Sequence, residues 1–128
     1  MTKKAQSAIE FLALFGVALF FFITFLLAVQ TNIADNVKKK IDISLREVAL
    51  TVQDEVALAS ASSDGYSRHF VLPNGIEGIA YEINILEDSV YIRIEDRHAI
   101  VLPVFNVTGD VVMGDNFIRK IDGVVYLN

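Results

Sequence analysis

The sequence predicts an α+β protein: a long N-terminal α-helix followed by a small C-terminal antiparallel β-sheet or sandwich. Three observations carry this reading. Phe11 to Ala34 is a run of 24 residues without a charge. Beyond it apolar residues recur at helical spacing, and no Gly or Pro occurs from Val17 to Asp64. After Gly65 the period changes to two, and short apolar runs alternate with turn-forming residues.

A chain of 128 residues has room for one ordinary domain and excludes a multidomain enzyme. With 53% hydrophobic residues and a formal net charge of -5, it is too apolar for disorder and too acidic for a nucleic-acid binder. The absence of cysteine removes disulfide scaffolds, thiolate metal sites and thiol nucleophiles together. The charge is unevenly divided. Residues 1–34 carry only Lys3, Lys4 and Glu10 and sum to +1, whereas residues 35–128 sum to -6.

As a helix, the charge-free run spans roughly 36 Å at about 1.5 Å per residue, enough for a hydrocarbon layer of about 30 Å. It contains Phe11, Phe15, Phe20, Phe21, Phe22 and Phe25, which a chain this small lacks the mass to cover on all sides. The segment therefore reads as a transmembrane helix rather than the buried helix of a soluble protein. A secretory signal has an apolar core of about 7–15 residues and a small-residue cleavage site. Val29-Gln30-Thr31-Asn32 offers no such site, so the segment is expected to stay with the mature protein. Lys3 and Lys4 favour a cytoplasmic N-terminus, Lys38, Lys39 and Lys40 argue the opposite, and charge alone leaves the orientation open. Glu10 is the anomaly. At the membrane centre a carboxylate costs about 2.5–3.5 kcal/mol, so it needs a partner or an aqueous edge, and the helix N-terminal dipole favours the latter.

Lys3-Lys4-Ala5-Gln6-Ser7-Ala8-Ile9-Glu10-Phe11, followed directly by the apolar run, resembles the class III signal of archaeal type IV pilins. The resemblance implies a cut by a prepilin peptidase between Ala5 and Gln6, so that residues 1–5 form a removed basic leader. Glu10 then occupies the position of the characteristic pilin glutamate, and Ser7 in second place departs from the commonest form of the motif. It further implies an exported subunit that leaves the membrane to polymerise as a homo-oligomeric helical filament through its apolar helix, with an assembly ATPase and a membrane platform protein as partners. In that setting Glu10 neutralises the new α-amino group of Gln6, whose pKa is about 7.7–8, inside an apolar filament core. An N-terminal glutamine that cyclises removes that amine, and Glu10 then needs another donor.

Ile33, Val37, Ile41, Leu45, Val48, Val52 and Val56 form one stripe at steps of three and four. The helix is expected to run from about Ile9 to Ala59, roughly 75 Å, with residues 6–34 packing against copies of the chain and residues 35–60 laying the stripe on the rest of their own chain. Asp35 with Lys39 and Asp42 with Arg46 are acid-before-base pairs on its wetter side. Ser60 to Gly65 breaks the helix, and residues 65–128 form the head. Tyr81–Ile85 and Val90–Ile94 read as strands around a Glu87-Asp88-Ser89 hairpin. Pro73-Asn74-Gly75, Thr108-Gly109-Asp110, Gly114-Asp115-Asn116 and Asp122-Gly123 read as turns. Phe70–Leu72, Ala99–Val107, Val111–Met113, Phe117-Ile118 and Val124–Leu127 are further β-prone runs.

No catalytic constellation, cofactor motif or phosphate-binding loop is present, so neither an enzyme nor a cofactor is expected. His69 and His98 are far apart, beside Arg68 and Arg97, and without metal-ligand spacing. Asp110, Asp115 and Asp122 invite a calcium reading, but Asp beside Gly or Asn is ordinary turn chemistry. Asn106-Val107-Thr108 is the one glycosylation sequon. The leading functional reading is a structural, adhesive subunit of a cell-surface filament. The alternatives are a single-pass anchored β ectodomain that binds a ligand or partner, an archaellin, from which Glu10 distinguishes it, or a minor pilin.

Overall fold

With no Gly or Pro beyond Gly16 to interrupt it, a single helix, α1, runs from Lys3 to Ala61 in a computed structural model that describes residues 3–95 and 98–128. The chain divides into two units, Met1–Lys39 and Lys40–Asn128. In the first, the described residues of α1 are exposed throughout. In the second, α1 buries Ile41, Leu45, Val48, Ala49, Val52, Val56 and Ala59 against the head, each large side chain contributing about 1.5–3 kcal/mol. Ile33 and Val37, expected to open this stripe, are 59% and 49% exposed, so it begins at Ile41. The Asp35–Lys39 and Asp42–Arg46 pairs are not closed either: among the described residues Lys39 and Arg46 carry no ion pair.

The chain continues as β1 (Ser67–Leu72), β2 (Glu82–Leu86), β3 (Ser89–Ile94), β4 (His98–Pro103), β5 (Val107–Thr108), β6 (Gly114–Ile121) and β7 (Val124–Leu127). They form two sheets, one in the order β2-β3-β4 and one in the order β1-β6-β7-β5. All pairs are antiparallel except β5 with β7, which makes the second sheet mixed rather than purely antiparallel as expected. Both sheets contribute alternate residues to one core with α1, among them Phe70, Leu72, Val90, Ile92, Ile94, Ile118, Val125 and Leu127.

Turn chemistry sets the registers. Asp122 and Gly123 both have positive φ, 50° and 78°, which gives the two-residue β6–β7 turn the twist of its flanking strands. Glu77 and Gly78 do the same between Ile76 and Ile79, whose backbones exchange hydrogen bonds of 2.9 Å. That turn lies beyond the expected Pro73-Asn74-Gly75. At Gly109, φ is 104° and an added Cβ would fall 2.1 Å from the Leu127 carbonyl oxygen, so only glycine fits.

Two expectations for residues 111–116 fail for one reason. Val111–Met113 is not a strand, and Gly114-Asp115-Asn116 opens β6 instead of turning. Asn116, 1% exposed, accepts from the Val112 N–H at 2.8 Å and donates to the Val112 carbonyl at 2.7 Å. Its side chain thereby satisfies both backbone groups that a neighbouring strand would have bonded. It also donates to the Gly114 carbonyl and accepts from Asn128, which fills its hydrogen-bonding capacity.

The helix ends with its carbonyls occupied. Ser62 returns its N–H and its hydroxyl to the Leu58 carbonyl, at 3.0 and 2.6 Å. From β6, Lys120 donates its ammonium to the Ser60 and Ser62 carbonyls at 2.7 and 2.9 Å, placing a cation at the negative end of the dipole. The Asp64 carboxylate accepts from the Gly123 N–H at 2.8 Å, tying the helix exit to the β6–β7 turn.

In the full chain held in detergent, Lys120→Met is expected to cost about 1–2 kcal/mol and Asn116→Ala about 2–3 kcal/mol in thermal unfolding of the head. Tyr81, buried and donating its hydroxyl to the Pro73 carbonyl at 2.6 Å, has its pKa raised by desolvation. The folded state thus keeps this proton to higher pH than the unfolded state. Stability is fully present below about pH 10 and falls as pH rises further. Tyr81→Phe should flatten that alkaline decline in an unfolding series.

Candidate functional site

The surface that stands out belongs to the first unit. Phe11, Phe15, Phe20, Phe21, Phe22 and Phe25 are all more than half exposed, as are Ile9, Leu12, Leu14, Val17 and Leu27. The helix is long and apolar enough to cross a membrane, and none of its most apolar window is buried in the chain itself. Phe11 and Phe15 stack with ring centroids 6.3 Å apart, and Phe20 meets Phe21 edge-on at 6.0 Å.

Three polar side chains in this surface turn inward to the helix backbone. Thr24 donates its hydroxyl to the Phe20 and Phe21 carbonyls at 3.0 and 2.9 Å. Thr31 does so to Leu27 and Ala28, and the Asn32 amide reaches the Ala28 carbonyl at 2.8 Å. Each of the three engages a donor without water, which lowers the desolvation cost of an apolar environment.

Gln6 and Glu10 lie one turn apart near the start of α1, both exposed. The Gln6 side-chain amide donates to the Glu10 carboxylate at 3.2 Å. One bond leaves most acceptor positions of the carboxylate open toward solvent or a further donor. Ala5 is exposed beside Gln6 in the same first turns.

In the head, Asn106 is exposed and lies between β4 and β5 outside any strand, a position a bulky modification can occupy. His69, on β1, is exposed with Nε2 3.1 Å from Asp115 on β6, a cross-strand pair at the sheet surface. Arg97 lies outside the described residues, as does the side chain of His98. Asp110, Asp115 and Asp122 do not converge: among the described residues no group of three or more metal-ligating side chains forms.

Sequence reasoning missed a cleft of about 570 Å³ beside the open edge of β2, lined by Tyr81 to Asn84 and by Asp110 to Met113. Beside it Asn116, four residues on, occupies the Val112 backbone groups with its side chain, which the strand composition of residues 111–113 does not signal. Of its acidic groups, Glu82 is engaged by Arg93 across the β2–β3 pair.

Placing aspartate at Phe21, in the middle of the apolar run, is expected to cost about 2.5–3.5 kcal/mol of membrane insertion for the charge, read as the inserted fraction in a translocation assay. The same change at Asn106 should leave insertion unaltered. Neither a family model nor a curated protein nor a solved structure matches the chain. What stands is the architecture: a long apolar N-terminal helix, exposed and able to enter a membrane, carrying a small β head.

Proposed function

We propose that the chain is a structural subunit of a surface filament of the archaeal type IV pilus kind, held in the membrane as a precursor and serving adhesion once assembled. The observation that carries the reading is the pairing of a wholly exposed apolar helix with a single acid, Glu10, one turn after the proposed cut between Ala5 and Gln6. A lone acid on such a helix is costly in lipid and is relieved by an amine. Removal of residues 1–5 generates one at Gln6. The amine of one subunit then meets Glu10 of another, which fixes axial register while the phenylalanine-rich surfaces exchange lipid for one another. The prepilin peptidase, assembly ATPase and platform protein are the partners this reading requires, and Asn106 is positioned for an outward glycan.

A second reading, an anchored head that binds a ligand, draws support from the cleft beside β2. Intact mass of material sheared from cells separates the two. The filament reading expects a mass that begins at Gln6, with any excess abolished by Asn106→Gln. A mass beginning at Met1 or Thr2, in material that never polymerises, ends it. Glu10→Ala should be cut normally yet leave filaments depleted more than about a hundredfold, because breaking a buried charge pair costs about 3–5 kcal/mol.

A further inference from the structure

The sheet that contains β2 is unfinished on one side. Leu86 and Ser89 close a two-residue turn, so the pairs that exchange hydrogen bonds between β2 and β3 are Leu86–Ser89, Asn84–Tyr91 and Glu82–Arg93. The N–H and C=O groups of Ile83 and Ile85 therefore point away from β3, across the edge. β2 is the outer strand of its sheet, and among the described residues no group of the chain answers them.

The cleft of about 570 Å³ lies along this edge, and its far wall is of the opposite kind. There the Val112 N–H and C=O are already taken by Asn116, while the side chains of Val112 and Met113 are 48% and 41% exposed. One wall offers hydrogen bonds and the other apolar surface, the two things an extended strand laid between them would use. The charge is one-sided. Asp110 lines the cleft, and Glu95 lines an adjoining groove of about 390 Å³ that shares Tyr81, Glu82 and Met113 with it. Among the described residues neither Asp110 nor Glu95 closes an ion pair, and Arg93, the one cation lining either groove, is engaged by Glu82. Such a surface attracts a cationic occupant and repels an acidic one.

We infer that the head binds an extended segment of a partner protein as an added strand on β2, and that this segment alternates apolar with basic residues. Its backbone pairs with Ile83 and Ile85, which supplies affinity, while its apolar side chains meet Val112 and Met113 and its basic ones meet Asp110 and Glu95, which supplies specificity. The inference concerns the head alone, goes beyond the filament reading and does not require the chain to polymerise.

The test uses the full chain in an uncharged detergent and a fluorescent octapeptide of alternating lysine and valine. Fluorescence anisotropy should show saturable binding that weakens about tenfold or more when glutamate replaces lysine in the peptide. On binding, hydrogen exchange at the Ile83 and Ile85 amides should slow about tenfold. Asp110→Lys should weaken the lysine peptide about fivefold and strengthen the glutamate peptide, with the head melting at the wild-type temperature. If the lysine peptide fails to bind, if the glutamate peptide binds equally well, or if binding leaves Ile83 and Ile85 exchanging as before, the inference is wrong. Slow exchange at both amides in the chain alone, relieved by dilution, would assign the edge to a second copy and overturn it as well. None of these outcomes bears on the mass of the mature chain, which tests the filament reading separately.

Discussion

A chain of 128 residues cannot wrap a helix that carries 24 consecutive uncharged positions, and much else in the molecule follows from that shortage of mass. The first unit leaves six phenylalanines and many aliphatic side chains facing outward, so their burial must come from lipid or from other chains. Three polar residues there hide donors in the backbone. Thr24, Thr31 and Asn32 bond carbonyls three and four residues back, which lowers their need for water. Between Ala5 and Ala34, Glu10 is the one ionisable side chain, and for that reason chemistry gathers around it.

The head is subject to the same shortage. Two short sheets of three and four strands do not enclose a core unaided, and α1 supplies seven buried residues to complete it. Polar side chains take the place that further ladder would hold in a larger domain. Lys120 and Ser62 occupy the helix-end carbonyls, Asp64 fixes the last hairpin to the helix exit, and Asn116 with Asn128 holds the segment between β5 and β6. The Lys40–Glu77 pair, more exposed at 3.0 Å, adds little beside these.

Much of this was legible because it is written locally. A charge-free run, a 3.6-residue period and alternating Tyr81–Ile94 each state their own secondary structure, and Asp122-Gly123 states its turn. The misreadings involve partners that composition and period do not name. The inner stripe begins at Ile41 and not at Ile33, because a helical period continues past the turns that pack and does not mark where packing starts. Val111–Met113 has strand composition, yet Asn116 answers its backbone instead of a neighbouring strand. The parallel β5–β7 pair follows from the chain crossing between sheets after Pro103, where the missing N–H ends β4. Around Gln6 and Glu10 the residues and their spacing were plain in the sequence, and the hydrogen bond between their side chains needed coordinates.

The packing of α1 against the head has a mechanical corollary. A pull on the helix enters the head along the helix axis, parallel to the face formed by Leu45, Val52 and Val56. Such a load slides the whole inner stripe at once, and the contacts share the force instead of peeling in turn. Lys120, gripping the last carbonyls of the rod, sits where that sliding must finally be resisted.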